Sequence, residues 1–354
     1  MDKPKYMHTT KIIGLLLALA LLGCQSEPQR FTKLSPEQTG VDFVNKLTQT
    51  PDLNIFNYLY FFDGGGVAAG DLNGDGLPDL FFTSNQEQNR LYLNKGDFSF
   101  EDVTSQSIGG HVDDWTTGVT LIDINSDGRL DIYVSNVGSY LKIQGENKLY
   151  VNQGNNEEGV PQFKEEGKKY GLDLVGFSTQ AAFFDYDRDG DLDMYMLNHS
   201  VHSNGTFNNA DIRYESHPLA GDHLMRNDNG KFTDVTEEAG IYNSALGYGL
   251  GIGISDFNKD GYPDIYIGND FHEDDYLYIN NGDGTFTESL ADMMPHTSRS
   301  SMGNELVDIN DDGLTDIYSL DMLPAEYEMW KKSAAEDPYE IYQSKLRYGY
   351  KYQF

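Results

Sequence analysis

Apolar residues along this chain come in short runs, and each run is closed by Asp, Asn or Gly. The runs fall in pairs: Val67–Gly70 with Leu80–Thr83, Val119–Ile122 with Ile132–Ser135, Ala182–Phe184 with Met194–Leu197, Ile252–Ile254 with Ile265–Gly268, and Leu306–Val307 with Ile317–Leu320. They are rich in β-branched and aromatic residues and too short for amphipathic helices, so they predict buried strands. Each pair brackets one polar nonapeptide and therefore predicts a β-hairpin.

The nonapeptides share the template D-x-[DN]-x-D-G-x-x-D. Their odd positions are Asp71, Asn73, Asp75, Leu77 and Asp79; Asp123, Asn125, Asp127, Arg129 and Asp131; Asp185, Asp187, Asp189, Asp191 and Asp193; Asp256, Asn258, Asp260, Tyr262 and Asp264; and Asp308, Asn310, Asp312, Leu314 and Asp316. Side-chain oxygens at the first, third, fifth and ninth positions, with the main-chain carbonyl of the seventh, can converge on one hard cation. Glycine at the sixth permits the positive φ that folds the loop back. An all-oxygen shell without nitrogen or sulfur selects calcium over zinc or copper. An EF-hand is excluded, because its twelfth position must be a bidentate Glu. Here that position is Phe82, Val134, Met196, Ile267 or Ser319. Ordinary turn chemistry could account for one such cluster but not for five at the same spacing.

The repeat is larger than the loop. After each of the first four hairpins stands a second signature: Asn89-Arg-Leu-Tyr-Leu-Asn94, Asn147-Lys-Leu-Tyr-Val-Asn152, Asp222-His-Leu-Met-Arg-Asn227 and Asp275-Tyr-Leu-Tyr-Ile-Asn280. A third begins at Phe100, Phe163, Phe232 and Phe286. One period is thus strand A, loop, strand B, connection, strand C, Asn/Gly turn, strand D. The loops recur at spacings of 52, 62, 71 and 52 residues. Four antiparallel strands per period predict an all-β chain, a β-propeller of four-stranded blades. The blades are expected at about 64–104, 116–166, 178–236 and 248–290, with a partial one at 301–354. Phe31–Gly40 matches Phe232–Gly240, so residues 31–35 are expected to be an orphan outer strand D. The fifth period has no second signature. An alternative is a closed five-bladed ring, with residues 346–353 as a degenerate strand C and 31–34 as its strand D.

These repeats resemble the FG-GAP/VCBS family of calcium-loop propellers, as in integrin α heads. The finer pattern is similar to the cartilage-acidic-protein-like lipoproteins of Bacteroidota. It is carried by Phe61-Phe-Asp-Gly-Gly-Gly66, Gly268-Asn-Asp-Phe-His272 and Asn281-Gly-Asp-Gly-Thr-Phe286. The resemblance covers about residues 31–354. It implies a longer protein with a seven-bladed ring, often followed by an ASPIC/UnbV domain, of which this chain supplies about four and a half blades.

Charge sharpens the picture. The 354-residue chain carries a formal charge of −32. Five bound Ca²⁺ would leave it at about −22, still without the clustered Lys and Arg that a phosphate backbone requires. At the N-terminus, Lys3, Lys5 and Lys11 precede the apolar stretch 12–23, which is too short to span a bilayer. Cys24, the sole cysteine, follows directly. The pattern resembles a bacterial lipoprotein signal, with Cys24 lipidated and residues 24–30 a tether. No intrachain disulfide is available, which leaves calcium as the cross-link.

A–B turns, the calcium loops, occupy one face of such a ring. The B–C and D–A connections occupy the other, where variable segments commonly bind. Trp115, Phe177 and Tyr248 stand there as candidate ligand aromatics, with packing between blades as the alternative. Asn136, Asn198 and Asn269 stand at strand-B ends, as candidate polar contacts or turn-formers. His199, His202, His217 and His223 share one long insertion, a candidate transition-metal cluster or a solvated loop. No nucleophile elbow, Walker loop or dinucleotide fingerprint is present. The expectation is a non-catalytic calcium-binding envelope lipoprotein of the outer membrane, whose ligand is a glycan or an envelope or extracellular protein. The alternative is a propeller enzyme, a lyase or hydrolase acting on polysaccharide.

Overall fold

The computed structural model describes residues 30–109, 115–201, 209–322, 324–332 and 339–351. The signal segment, Cys24 and His202 lie outside these residues.

Each predicted period folds as one antiparallel sheet. The first contains β1 (Val67–Gly70), β2 (Asp79–Phe82), β3 (Arg90–Asn94) and β4 (Phe100–Asp102). The second contains β5 (Trp115–Ile122), β6 (Asp131–Val137), β7 (Lys148–Asn155) and β8 (Pro161–Glu165). The third contains β9 (Ser178–Phe184), β10 (Asp193–Asn198), β11 (His223–Asn227) and β12 (Phe232–Asp234). The fourth contains β13 (Gly249–Ser255), β14 (Asp264–Asn269), β15 (Tyr276–Asn280) and β16 (Phe286–Glu288). A fifth hairpin, β17 (Ser301–Val307) with β18 (Asp316–Asp321), has no third strand among the described residues. In every hairpin the residue before the loop pairs with its ninth position: Gly70 with Asp79, Ile122 with Asp131, Phe184 with Asp193, Ser255 with Asp264 and Val307 with Asp316.

The core lies between sheets. Phe81, Leu91 and Leu93 of the first pack against Ile132, Val134 and Tyr150 of the second. Tyr133, Leu149 and Val151 meet Met194, Met196 and Phe232 of the third. Tyr195, Leu197 and Leu224 meet Ile265, Ile267 and Tyr278 of the fourth. Central strands β6, β10 and β14 are buried along their whole length, which is why they read as continuous apolar runs rather than alternating ones. β18 is covered less well, leaving Tyr318 and Leu320 exposed.

The A strands pack side by side about a common axis. Glycine makes this approach possible. A Cβ on Gly118 would sit 2.3 Å from the Thr179 carbonyl oxygen, and one on Gly251 would sit 2.7 Å from the Asn304 nitrogen. Threonine hydroxyls staple the same strands: Thr117 Oγ1 donates to the Ser178 carbonyl (2.7 Å), and Thr179 Oγ1 to that of Gly249 (2.9 Å). The result is all-β and propeller-like.

Two expectations at the ends are corrected. Residues 31–35 form no strand; they run extended, with Phe31 exposed, into the helical turn α1 (Pro36–Thr39). The match to Phe232–Gly240 is nonetheless expressed in packing. Gly40 abuts the Phe100 carbonyl as Gly240 abuts that of Phe286. The segment takes the place of a strand-D end but has no strand C beside it. Nor do residues 346–351 form a strand C, as the closed five-bladed alternative expected of them. The helical turns α2 (Thr104–Ser107), α3 (Gly167–Tyr170) and α4 (Leu290–Met293) follow strands D, and α5 (Tyr327–Lys332) precedes α6 (Tyr339–Arg347). Beyond α6 the chain docks elsewhere. Tyr350 is buried with Ala210 and Leu246, and the Ala210 amide donates to the Tyr348 carbonyl (2.7 Å).

Candidate functional site

The five loops are wound alike around their own side chains. In the first, Asp71 Oδ1 accepts from the amides of Gly74 (2.7 Å) and Asp75 (3.1 Å), and its Oδ2 from that of Gly76 (2.8 Å). Asn73 Oδ1 accepts from Asp75, and Asp75 Oδ1 from Leu77. Asp123, Asp185, Asp256 and Asp308 repeat the first-position pattern. The sixth-position glycines have the expected positive φ, from 78° at Gly313 to 99° at Gly190. The fourth position is left-handed too, at Gly74 but also at Ser126, Arg188, Lys259 and Asp311. This second turn was not legible, because side chains that disfavour the conformation occupy four of its five copies.

The ninth-position carboxylates are the anchors. Asp79, Asp131, Asp193 and Asp264 are fully buried. Each accepts two backbone amides, one from its own loop and one from the Asn of strand C. For Asp131 these are Ile124 (3.0 Å) and Asn152 (2.7 Å). For Asp264 they are Phe257 and Asn280, both at 2.8 Å. Burial pushes the carboxyl of Asp193 up to about 7 and that of Asp131 to about 6; the two amide bonds oppose it, and neighbouring loop carboxylates add repulsion. Asp316 accepts only from Ile309 among the described residues, since no strand C reaches it.

The strand-C Asn completes the clamp. Asn152 Nδ2 donates to the carbonyls of Leu130 and Leu72, while its Oδ1 accepts from Gly154. Asn280 does the same with Pro263, Tyr186 and Gly282.

The donor set fits a hard cation. In the third loop Asp185, Asp187 and Asp193 each offer a carboxylate oxygen within 4.8 Å of the others. The other loops carry Asn at the third position, also an oxygen donor. Arg129 and Tyr262, whose carbonyls are seventh-position candidates, direct their side chains to other work. Arg129 pairs with Asp127 (2.5 Å), and the Tyr262 ring lies under the Arg188 guanidinium.

On the opposite face the candidate aromatics come together but turn inward. Trp115, Phe177 and Tyr248 share one buried cluster with Tyr58, Tyr60 and Phe61, so packing claims most of their surface. The strand-B asparagines are also committed. Asn136 Nδ2 donates to the Glu146 carbonyl, Asn198 Nδ2 to that of Gly221 and Asn269 Nδ2 to that of Asp274, which ties each B–C connection to its sheet. The described histidines, His199, His217 and His223, form no metal-binding group with one another. His199 is buried, with Nε2 3.2 Å from the Tyr58 hydroxyl. His217 Nδ1 accepts from the Leu219 and Ala220 amides, and His223 Nδ1 meets Asp234 at 2.8 Å.

Sequence reasoning named Trp115 and His199 but not the cavity they line with residues 58–66 at the mouth of the axis. This cavity of about 250 Å³, partly open to solvent, is lined by Tyr58, Tyr60, Asp63, Trp115, His199 and Met302 among others. The signal was present in Asp63-Gly-Gly-Gly66 and Asn269-Asp-Phe-His272. These segments lie some 200 residues apart in the chain, yet Asp270 stands close enough to Asp63 to repel its charge.

Comparison with known proteins agrees with this repeat architecture. FG-GAP-like repeats match at residues 71–134 and 256–319. Cartilage acidic protein 1 is similar in three species: 26% identical over 58% of this chain in Xenopus tropicalis, 27% over 71% in Mus musculus and 29% over 56% in Homo sapiens. The chain spans between 28% and 39% of the length of these relatives. Solved structures with partial likeness include an Agrocybe aegerita lectin that recognises non-reducing terminal N-acetylglucosamine. It is 17% identical with a TM-score of 0.38, over 72% of this chain and 59% of the lectin. A V. cholerae biofilm matrix protein is 13% identical with a TM-score of 0.36, over 72% of this chain and 34% of that protein. The chain carries FG-GAP-like repeats in an all-β, propeller-like fold, with distant sequence similarity to cartilage acidic protein 1.

Proposed function

We propose that this chain is a calcium-braced, non-catalytic binding module of a bacterial envelope, tethered through a lipid on Cys24. Ca²⁺ at the five loops would supply the cross-links that a chain with one cysteine cannot make. The side chains of the first, third, fifth and ninth positions would hold it, and the ion would neutralise carboxylates otherwise held together against their repulsion. The observation that carries this reading is the repeated clamp, in which a buried ninth-position Asp and a strand-C Asn lock an oxygen-lined loop to its own sheet. A rigid ring of this kind leaves the B–C and D–A connections free to vary and to engage a glycan or a protein.

The test is a calcium titration of purified protein followed by melting, together with capture from envelope extracts and a glycan array with and without chelator. Expected are dissociation constants of about 10⁻⁴ to 10⁻³ M, as in extracellular calcium modules, and ligand retention that chelation abolishes. Indifference to calcium and EDTA overturns the bracing, and release of unsaturated or reducing ends from polysaccharide overturns the non-catalytic reading.

A further inference from the structure

The axial cavity has a wall unlike the rest of the molecule. Tyr58, Tyr60, Trp115 and His199 supply four rings, Asp63 a carboxylate and Met302 a polarisable thioether. No Lys or Arg lines it among the described residues. The rings brace one another: Tyr58 stands edge-on to Trp115 at 5.5 Å, and Tyr60 edge-on to His199 at 4.4 Å. One buried polar atom in this wall, Tyr60 Oη, has no hydrogen-bond partner among the described residues. Leaving such an atom unpaired costs about 1–3 kcal/mol.

Three classes of occupant can be compared. An anion would face Asp63 and, behind it, Asp270, with no cationic side chain to receive it. An apolar molecule would strip water from Asp63 and leave Tyr60 Oη unpaired. A small organic cation meets aromatic rings, a carboxylate and a sulfur, the combination by which proteins hold ammonium groups. The −32 charge of the chain also concentrates cations at its surface. About 250 Å³ is roughly the liquid volume of eight waters, enough for an ammonium headgroup and a short arm.

We propose that the axial cavity binds the ammonium group of a small organic cation, with Asp63 as counter-ion and the Tyr58, Tyr60 and Trp115 rings as its wall. The site needs no calcium and no macromolecular ligand, so it stands or falls separately from the reading above. Asp63 stands exposed at the rim of the cavity; partial desolvation by the segment packed around it and the neighbouring Asp270 raise its carboxyl above the usual range. A bound cation favours its ionised form, so binding tightens from acid to mildly alkaline pH. Asp270, Tyr58, Tyr60 and the neutral His199 are the titratable groups around it.

The experiment is calorimetric titration of the full chain at mildly alkaline pH and low salt with choline and, separately, with dimethylbutanol, its uncharged carbon isostere. Choline is expected to saturate a single site, with the isostere about tenfold weaker or worse, since the cation–π and ion-pair contributions vanish. Asp63→Asn should weaken choline about threefold to fivefold, and Met302→Lys, which places a competing ammonium in the wall, should abolish it. Melting with and without calcium, on the same preparations, shows whether each variant is folded and scores the calcium reading independently. The proposal is overturned by absence of saturable choline heat, by equal binding of the isostere, or by folded Asp63→Asn and Met302→Lys variants that both bind as wild type.

Discussion

Asn152, on strand C of the second sheet, donates from Nδ2 to the carbonyl of Leu72, inside the Asp-rich loop of the first sheet (2.9 Å). Asn280 does the same to Tyr186, between the fourth sheet and the third (2.9 Å). Each bond joins one period to the preceding one at a point where both partners are buried. Asn94 holds the same place in the first sheet but donates only within it, to Pro78. Asn152→Ala and Asn280→Ala should therefore destabilise by about 2–3 kcal/mol, because each strands more than one buried polar group, whereas Asn94→Ala should cost about 1 kcal/mol. Urea unfolding of the three variants measures the ranking. An equal cost at all three positions would show that the inter-sheet bonds contribute nothing.

Among the candidate ligands, the ninth-position carboxylates also anchor the fold, and the fifth-position ones do not. Asp131 is buried and receives two backbone amides, so Asp131→Ala should lower stability even in EDTA, by about 2 kcal/mol or more. Asp127 is half-exposed, accepts from Arg129 and pairs with its side chain. Its replacement by Ala should cost little in EDTA and should remove one calcium increment. At tenfold excess over the dissociation constant, that increment is about 1.4 kcal/mol per site. Differential scanning calorimetry of both variants, with and without calcium, separates the two roles. A calcium shift in Asp127→Ala equal to that of wild type would remove this residue from the ligand set.

The hairpins were legible because loop and strand signals agree locally: apolar runs on both sides of a turn whose Asp and Gly residues dictate its path. The same local signals located Asn152 but not its bond to Leu72, a contact 80 residues distant. Asn136, Asn198 and Asn269 looked like ligand contacts because sequence shows a polar residue at a recurring place. It does not show the carbonyl of the B–C connection that each one receives. Residues 31–35 matched a strand D faithfully, yet a strand exists only beside a partner, and its partner would be a strand C the fifth hairpin lacks among the described residues. The mouth of the axis was hidden for a related reason: Tyr60 with Asp63, His199 and Met302 come from three separate parts of the chain.

The fifth loop is the natural comparison within the molecule. Its ninth-position Asp316 lacks the strand-C amide that Asp193 receives from Asn227 at 2.8 Å, and it is only partly buried. With one anchor bond fewer, the loop is less preorganised and its cation should bind more weakly than at the other four. Amide exchange should show residues 308–316 protected last as calcium is added, after the loops at 123–131 and 185–193. Protection of all five at the same calcium concentration would mean that strand C does not organise the site.

Acid should expose the cost of burying His199. Burial drops its imidazole from 6.5 to about 3, so the folded protein keeps it neutral while the unfolded chain takes up a proton. Between those values the unfolded state binds more protons. Stability from this group is therefore present above about 6.5 and is lost as pH falls toward 3, by about 1.4 kcal/mol per pH unit. Buried Asp222 works the other way. Burial raises its carboxyl to about 7, so its contribution is present below 3.8 and fades as pH rises through 7. The two slopes oppose each other, which makes the wild-type profile alone uninformative. The difference between wild type and His199→Gln removes the Asp222 effect, and it should change by about 1.4 kcal/mol per unit between pH 5.5 and 4. Urea midpoints at a series of pH values supply that difference. A constant offset across the range would mean that the imidazole is not held neutral in the fold.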